Sequence, residues 1–358
     1  MAGASASTDD VFGGTKPVEE RHRFDEARLA EWMKANVSGY EGPLTVSQFK
    51  GGQSNPSFRL DTPTHSYVMR RKPLGKLLPS AHAVDREFKV ISALHPQGFP
   101  VAKPWALCVD NDVLGSFFYI MDNVEGRIFW NGTLPQSSPE ERRAIYEAEI
   151  STLARLHNYD PDAIGLSDFG KPGNYFSRQI DRWTKQYKAS ETRHIEVVEK
   201  LIEWLPRTVP TQERVSVVHG DYRIDNMIFM SNEPRVAAVL DWELSTLGDP
   251  LADFTYFLSH WVMPPEGRSG LSGLDLKSLG IPSMEEAVAL YCKITNRDGL
   301  PQLDWYFSYN MFRLACITQR IAGRVRDGTA SSARAMEAGA RTEPLANMAW
   351  HFAQRAGA

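Results

Sequence analysis

The densest group of chemistry-bearing residues is Val218-His219-Gly220-Asp221-Tyr222-Arg223-Ile224-Asp225-Asn226. A second acidic stretch, Val239-Leu240-Asp241-Trp242-Glu243, follows, with Asp241 fifteen residues beyond Asn226. Val215, Val217 and Val218 predict a strand feeding His219-Gly220-Asp221, and Gly220 permits a sharp turn after it. Asp221 then faces a cleft, where a carboxylate can accept a hydroxyl proton. The amide oxygen of Asn226 is a hard, neutral ligand suited to Mg²⁺. Residues 237–240 read as a buried strand ending at Asp241, whose carboxylate could bridge metal and nucleotide phosphates. A base, an amide oxygen and a metal-binding carboxylate are parts that phosphoryl transfer from a nucleotide requires. Glu243 lies two residues past Asp241, on the same side if the strand continues, and is a candidate second metal ligand. Asp249 and Asp253 are expected to brace the loop or cap a helix, and His157 to pack in a core.

The elements that must position these residues fall into two groups. A helix over 24–37 presents Phe24, Leu29, Trp32, Met33 and Val37 mostly on one face, and Gly42-Pro43 breaks it. Strands follow at 44–49, 57–60 and 66–70, the first two flanking the turn-rich Gly51-Gly52-Gln53-Ser54-Asn55. A helix over 81–95 carries Val84, Phe88, Ile91 and Leu94, and a hairpin joins 105–109 to 117–121 through Asp110-Asn111-Asp112. After Gly126 the pattern turns helical, starting at Ser138-Pro139-Glu140-Glu141 and continuing at 174–189, 192–205, 284–297, 303–327 and 333–355. Residues 263–283 read as a loop rich in Gly, Pro and Ser. The expectation is an α+β, bilobal chain: a disordered tail over 1–22, a β-rich nucleotide-binding lobe over 23–122, and a helical catalytic and acceptor lobe over 123–358.

Composition narrows the function classes. The chain has 358 residues, 42% of them hydrophobic, enough for a sizeable core. A formal net charge of −4 offers no footprint for nucleic acid or an anionic membrane. The three cysteines, Cys108, Cys292 and Cys316, are scattered, which argues against a disulfide scaffold or zinc site and fits a reducing cytoplasm. The N-terminus lacks a basic start and an apolar block, so no secretory signal is expected, and no apolar run is long enough for a transmembrane helix.

His-Gly-Asp-x-x-x-x-Asn followed by a Leu-Asp strand end resembles the aminoglycoside phosphotransferase and choline kinase branch of the protein-kinase-like fold. That resemblance implies ATP and Mg²⁺ as cofactors, Asp221 as catalytic base, Asn226 and Asp241 as magnesium ligands, and His219 as a structural orienter of the loop. The phrases from Tyr67 to Glu87 and around 241–254 and 306–334 are similar to one sub-branch, a kinase-like module that stands alone in bacteria or is fused ahead of acyl-CoA dehydrogenase domains. The match covers about 24–355, and the dehydrogenase half is expected to be absent.

Other kinase parts can then be sought. A kinase holds nucleotide phosphates with a strand cation paired to a helix glutamate. Arg70 stands where the family usually has lysine, with Lys72 as the alternative on the same face. Glu87 is its expected partner and Asp85 the competitor. The Gly51–Asn55 loop, through Gly52 and Ser54, is expected to lay donors over phosphates. The segment at Met121, Asp122 and Val124 is expected to form the interlobe hinge that meets adenine.

For the acceptor, residues 261–358 hold 11 Lys/Arg against 9 Asp/Glu, whereas a polycationic antibiotic calls for an acidic pocket. Arg313, Arg320 and Arg324 share a helix face and could meet a carboxylate or phosphate. The reading is a kinase of a small hydroxylated acid or its CoA ester. The alternatives are a nucleotide-binding pseudokinase and a kinase of an amino alcohol or aminoglycoside. A protein kinase fits less well, because seven residues separate Asp241 from Asp249 and leave no activation segment.

Overall fold

The computed structural model describes residues 14–50, 55–74, 83–265, 270–329 and 335–358. Among them no helix is long and apolar enough to cross a membrane. The chain divides into two compact units. One comprises Met1–Thr152, Asp162–Phe169 and Arg223–Ser245, and the other Leu153–Pro161, Gly170–Tyr222 and Thr246–Ala358.

The first unit is built on a six-stranded sheet of order β1-β2-β3-β4-β6-β5. Its strands are β1 (Thr15–Lys16), β2 (Thr45–Phe49), β3 (Ser57–Asp61), β4 (Ser66–Arg71), β5 (Pro104–Cys108) and β6 (Phe118–Asp122), with antiparallel neighbours throughout. Residues 14–22, grouped by composition with the tail, therefore carry an edge strand and a helical turn at Glu20–His22. Strand alternation sends Phe58, Leu60, Tyr67, Met69, Phe118 and Ile120 into one core. Helix α1 (Glu26–Asn36) adds Leu29 and Met33 to it and is capped by Asp25, which accepts from the Arg28 amide. Helix α2 (Val84–Leu94) buries Val84, Val90, Ile91 and Leu94, with Glu87 on the same buried face. The expected 110–112 turn is one helical turn, Asn111–Leu114, capped by Asp110. Beyond the sheet lie most of α3 (Pro139–His157) and the ribbon Met227–Phe229 with Val236–Val239. Ser138 Oγ accepts from the Glu141 amide at the start of α3. Gly126 must be glycine, because a Cβ there would collide with the Phe229 carbonyl, and this closeness lets Arg127 and Phe229 exchange backbone hydrogen bonds of 2.8 Å.

The second unit is helical: α4 (Tyr175–Ser190), α5 (Glu196–Arg207), α6 (Leu251–Val262), α7 (Met284–Thr295), α8 (Leu303–Arg326), α9 (Ala335–Ala340) and α10 (Thr342–Arg355). One short ribbon pairs Ser216–Val218 with Thr246–Gly248. Helix α6 was not anticipated. All its residues from Leu251 to Trp261 are buried, so it shows no polar stripe against which a 3.6-residue period could be read. The single helix expected over 333–355 is two. Pro344 sits in the first turn of α10, where a missing N–H is tolerated, and could not continue a helix from Ala340. The expected loop over 263–283 contains one helical turn, Leu276–Leu279, capped by Asp275.

Candidate active site

In the first unit, β4 and α2 bring a cation and an acid together. Arg70 Nε lies 2.8 Å from Glu87 Oε2, with the two side chains 12% and 1% exposed. Asp85, the competing acid, is exposed, and Lys72 lies one residue past the end of β4. Glu87 also accepts from Asn55 Nδ2 at 2.8 Å and from the Tyr119 hydroxyl at 3.1 Å. Burial pushes the Glu87 carboxyl up to about 7, against the opposing pull of Arg70. Burial also works against the Arg70 charge, but Glu87 and Asp241 outweigh it and hold the guanidinium above its ordinary value.

The same guanidinium reaches the acidic stretch. Arg70 Nη2 donates to Asp241 Oδ1 at 2.5 Å and lies 3.9 Å from Glu243 Oε2. Here the structure corrects the strand reading. The strand stops at Val239, Asp241 adopts a left-handed conformation (φ 61°, ψ 61°), and Trp242–Leu244 form a helical turn. Glu243 is near Arg70 because of that turn, not through strand parity. The Leu240 amide donates to the Asn226 carbonyl at 2.8 Å, which brings Asn226 and Asp241 to one end of the ribbon. Asn226, Asp241 and Glu243 are half-buried hard-oxygen donors, a set that fits a divalent cation such as Mg²⁺.

Of the expected nucleotide contacts, Gly52 and Ser54 lie outside the described residues. Met121 and Asp122 end β6, and Val124 follows them. The Asp122 amide donates to the Lys103 carbonyl at 2.9 Å. Its carboxylate accepts from Trp105 Nε1 and lies 2.9 Å from His65 Nε2. The side chain of Asp122 is thus committed to the sheet.

In the second unit, Ser216–Val218 delivers the loop that carries Asp221. Gly220 has φ 88°, the left-handed conformation the turn demands. The loop is fixed from beneath by α6. Asp253 accepts from the amides of His219 and, at 2.8 Å, Gly220. His157 Nε2 lies 3.5 Å from Asp253, and its Nδ1 is 2.7 Å from the Tyr291 hydroxyl. Burial alone would raise the Asp253 carboxyl, but the adjacent His157, with the buried His219 and the Gly220 amide, holds it below its ordinary value. His219 is fully buried, and its Nδ1 accepts the Asp221 amide at 3.2 Å. Asp249 caps α6 by accepting the Leu251 amide at 2.9 Å, and burial pushes its carboxyl up to about 6.

Asp221 Oδ1 accepts the hydroxyl of Tyr256, from α6, at 3.1 Å. Arg313 Nη2 donates to the Gly220 carbonyl, next to Asp221. The Arg313 guanidinium lies 4.9 Å from the Tyr256 ring centre and 5.7 Å from that of Trp183. The three arginines separate: Arg313 is part-buried beside the loop, while Arg320 and Arg324 stand exposed on α8. Sequence reasoning missed Asn55 and Tyr119 as supports of Glu87, and Tyr256 as a partner of Asp221. Once α6 is recognised, the i, i+3 spacing of Asp253 and Tyr256 would have placed both on one face.

Comparison with known proteins gives the family of the chain. The phosphotransferase enzyme family matches residues 45–286. A candidate aminoglycoside phosphotransferase from Ralstonia eutropha JMP134 is 50% identical, with a TM-score of 0.87 covering 93% of this chain and 99% of that one. Mouse acyl-CoA dehydrogenase family member 10 is 41% identical over 96% of this chain, and human member 11 is 39% identical over 94%. The chain spans 32% and 44% of the length of those two relatives. Choline kinase from Cryptosporidium parvum Iowa II shares the fold at 12% identity, with a TM-score of 0.60 covering 92% of this chain and 95% of that one. The chain has the α+β protein-kinase-like fold and belongs to the phosphotransferase enzyme family, as an enzyme of the kinase class similar to aminoglycoside phosphotransferases and to the kinase-like part of acyl-CoA dehydrogenase family members.

Proposed function

We propose that this enzyme moves the γ-phosphoryl of ATP to the hydroxyl of a small anionic acceptor, a hydroxy acid or a hydroxyacyl-CoA thioester. The observation that carries the transfer is the Arg70 guanidinium held between Glu87 and Asp241, a phosphate-gripping cation fixed by a buried acid. In this reading the 23–122 region binds nucleotide, with Gly52 and Ser54 over the phosphates and the backbone at Met121, Asp122 and Val124 against adenine. Because the Asp122 amide is engaged by Lys103, adenine would have to use other backbone groups of that segment. Asn226, Asp241 and Glu243 would hold Mg²⁺, which neutralises phosphate charge when bound. The 123–358 region supplies the base, Asp221, which takes the acceptor's proton as the phosphoryl group departs. Asp253 and His219 keep that base in place.

Arg313 favours an anionic acceptor. Its guanidinium already occupies the faces of Tyr256 and Trp183, where a cationic acceptor would otherwise gain attraction. The names of the fused relatives, which are acyl-CoA dehydrogenase family members, point in the same direction. Arg320 and Arg324 are left as an exposed extension of the same face. The three buried thiols suit a reducing cytoplasm.

The test is product formation from ATP-Mg²⁺ with a panel of hydroxy acids and hydroxyacyl-CoA esters, set against aminoglycosides and amino alcohols. Turnover of the anionic compounds is expected. Turnover of the cationic set alone would reverse the assignment, and nucleotide binding without transfer to any alcohol would make the chain a pseudokinase.

A further inference from the structure

The geometry points to Tyr256 as a positioning residue that ties acceptor recognition to the orientation of the base. It rests on Asp221 acting as that base. Two contacts of one side chain carry it. The Tyr256 hydroxyl donates to Asp221 Oδ1 at 3.1 Å, and the Tyr256 ring lies 4.9 Å from the guanidinium carbon of Arg313. The ring itself is held, being 7% exposed on the buried helix α6. One rigid aromatic therefore fixes a carboxylate at its tip and a cation on its face.

The tip and the face do separate jobs. With one carboxylate oxygen engaged by Tyr256, the rotamers open to Asp221 are restricted, which orients the carboxylate that receives the acceptor proton. Arg313 is anchored by one donor on the Gly220 carbonyl and is only part-buried, so among the described residues its other N–H groups are open to an anion. An acceptor whose carboxylate or thioester-borne phosphate docks on Arg313 is thereby set at a fixed distance from Asp221, because Tyr256 spans the two. Specificity for an anion and alignment for proton removal would then be properties of one contact chain, Arg313–Tyr256–Asp221.

The two jobs separate kinetically. Tyr256→Phe keeps the ring and removes the hydroxyl, so kcat is expected to fall about 10- to 100-fold, the loss of a hydrogen bond to a charged group, while the KM values for acceptor and ATP stay within about two-fold. Tyr256→Leu removes both, and the acceptor KM is expected to rise as well. Arg313→Lys should raise acceptor KM with a smaller change in kcat. An unchanged kcat in Tyr256→Phe, or a loss that appears in KM alone, would overturn the proposal. Thermal midpoints and the ATP-Mg²⁺-induced shift of each variant report folding. If Tyr256→Leu fails to fold, the split between Tyr256→Phe and Arg313→Lys decides. The constants are read with whichever alcohol the wild type phosphorylates, so failure of the anionic class leaves the test intact. In an Asp221→Asn background Tyr256→Phe should cost little more, because the hydroxyl acts through that carboxylate. A full independent loss there would assign Tyr256 a role apart from the base.

Discussion

At the scale of single residues, substitutions at Asp221 and Glu87 test the proposed chemistry and the proposed nucleotide grip separately. Asp221→Asn keeps shape and removes the proton acceptor. Turnover should fall by about 10²- to 10⁴-fold, with nucleotide affinity retained, as steady-state rates and ATP titration would show. A wild-type rate in that variant would remove Asp221 from the role of base. Glu87→Gln leaves one acceptor oxygen where Asn55 and Tyr119 now use one each, and it discharges the partner of Arg70. The guanidinium then has Asp241 as its close anion, so the KM for ATP should rise roughly 10-fold, the value of one charge-assisted contact. An unchanged KM would mean that Arg70 is held well enough by Asp241 alone. Asp221 could be nominated as base because the residues that suggest it lie within a few positions of it. Glu87 could likewise be nominated over Asp85 as the partner of Arg70, and the structure agrees: Glu87 is buried against Arg70 while Asp85 is exposed.

At the scale of elements, α6 joins the core to the loop that carries Asp221, and Asp249 at its start is expected to make stability pH-dependent. Asp249 caps its start and is 3% exposed, with a carboxyl raised from 3.8 to about 6 by burial. The fold thus favours the protonated form. The associated stability is fully present below about pH 4 and is lost as pH rises through about 6. Asp249→Asn keeps the capping oxygen and cannot ionise. It should therefore be more stable than wild type at pH 8, by up to about 3 kcal/mol, with the gap closing at pH 4. Urea midpoints across that range measure it, and a gap that is constant with pH would show that Asp249 is ionised throughout. Asp253, one helical turn on, accepts the two amides that open the loop. Asp253→Ala strands those buried donors and should lower stability by about 2–5 kcal/mol, with turnover falling at temperatures where the fold survives.

At the scale of the whole molecule, a ligand that binds the folded enzyme alone raises its stability by mass action. ATP-Mg²⁺ at about 100 times its dissociation constant should add about 2.7 kcal/mol, visible as a rise in thermal midpoint. Removing the divalent cation with a chelator should cancel most of that rise, because Asn226, Asp241 and Glu243 would then have no cation to share with the phosphates. The same shift with and without chelator would exclude that donor set as the metal site. The residue types and spacing from His219 to Asp241 were determined by sequence, and so were the strand-rich and helix-rich halves, because local periodicity and short-range motifs record them. Tertiary structure decided the rest. Arg70 and Asp241 lie 171 positions apart, and no local pattern marks their hydrogen bond. Helix α6 is buried on every side, so no exposed polar stripe sets off the period that reveals a helix. Its burial is also what presents Asp253 to the loop and Tyr256 to Asp221. Spacing along the chain can nominate a base and its metal ligands. What holds them, and which of several like-charged candidates is buried beside them, is fixed by packing between distant segments.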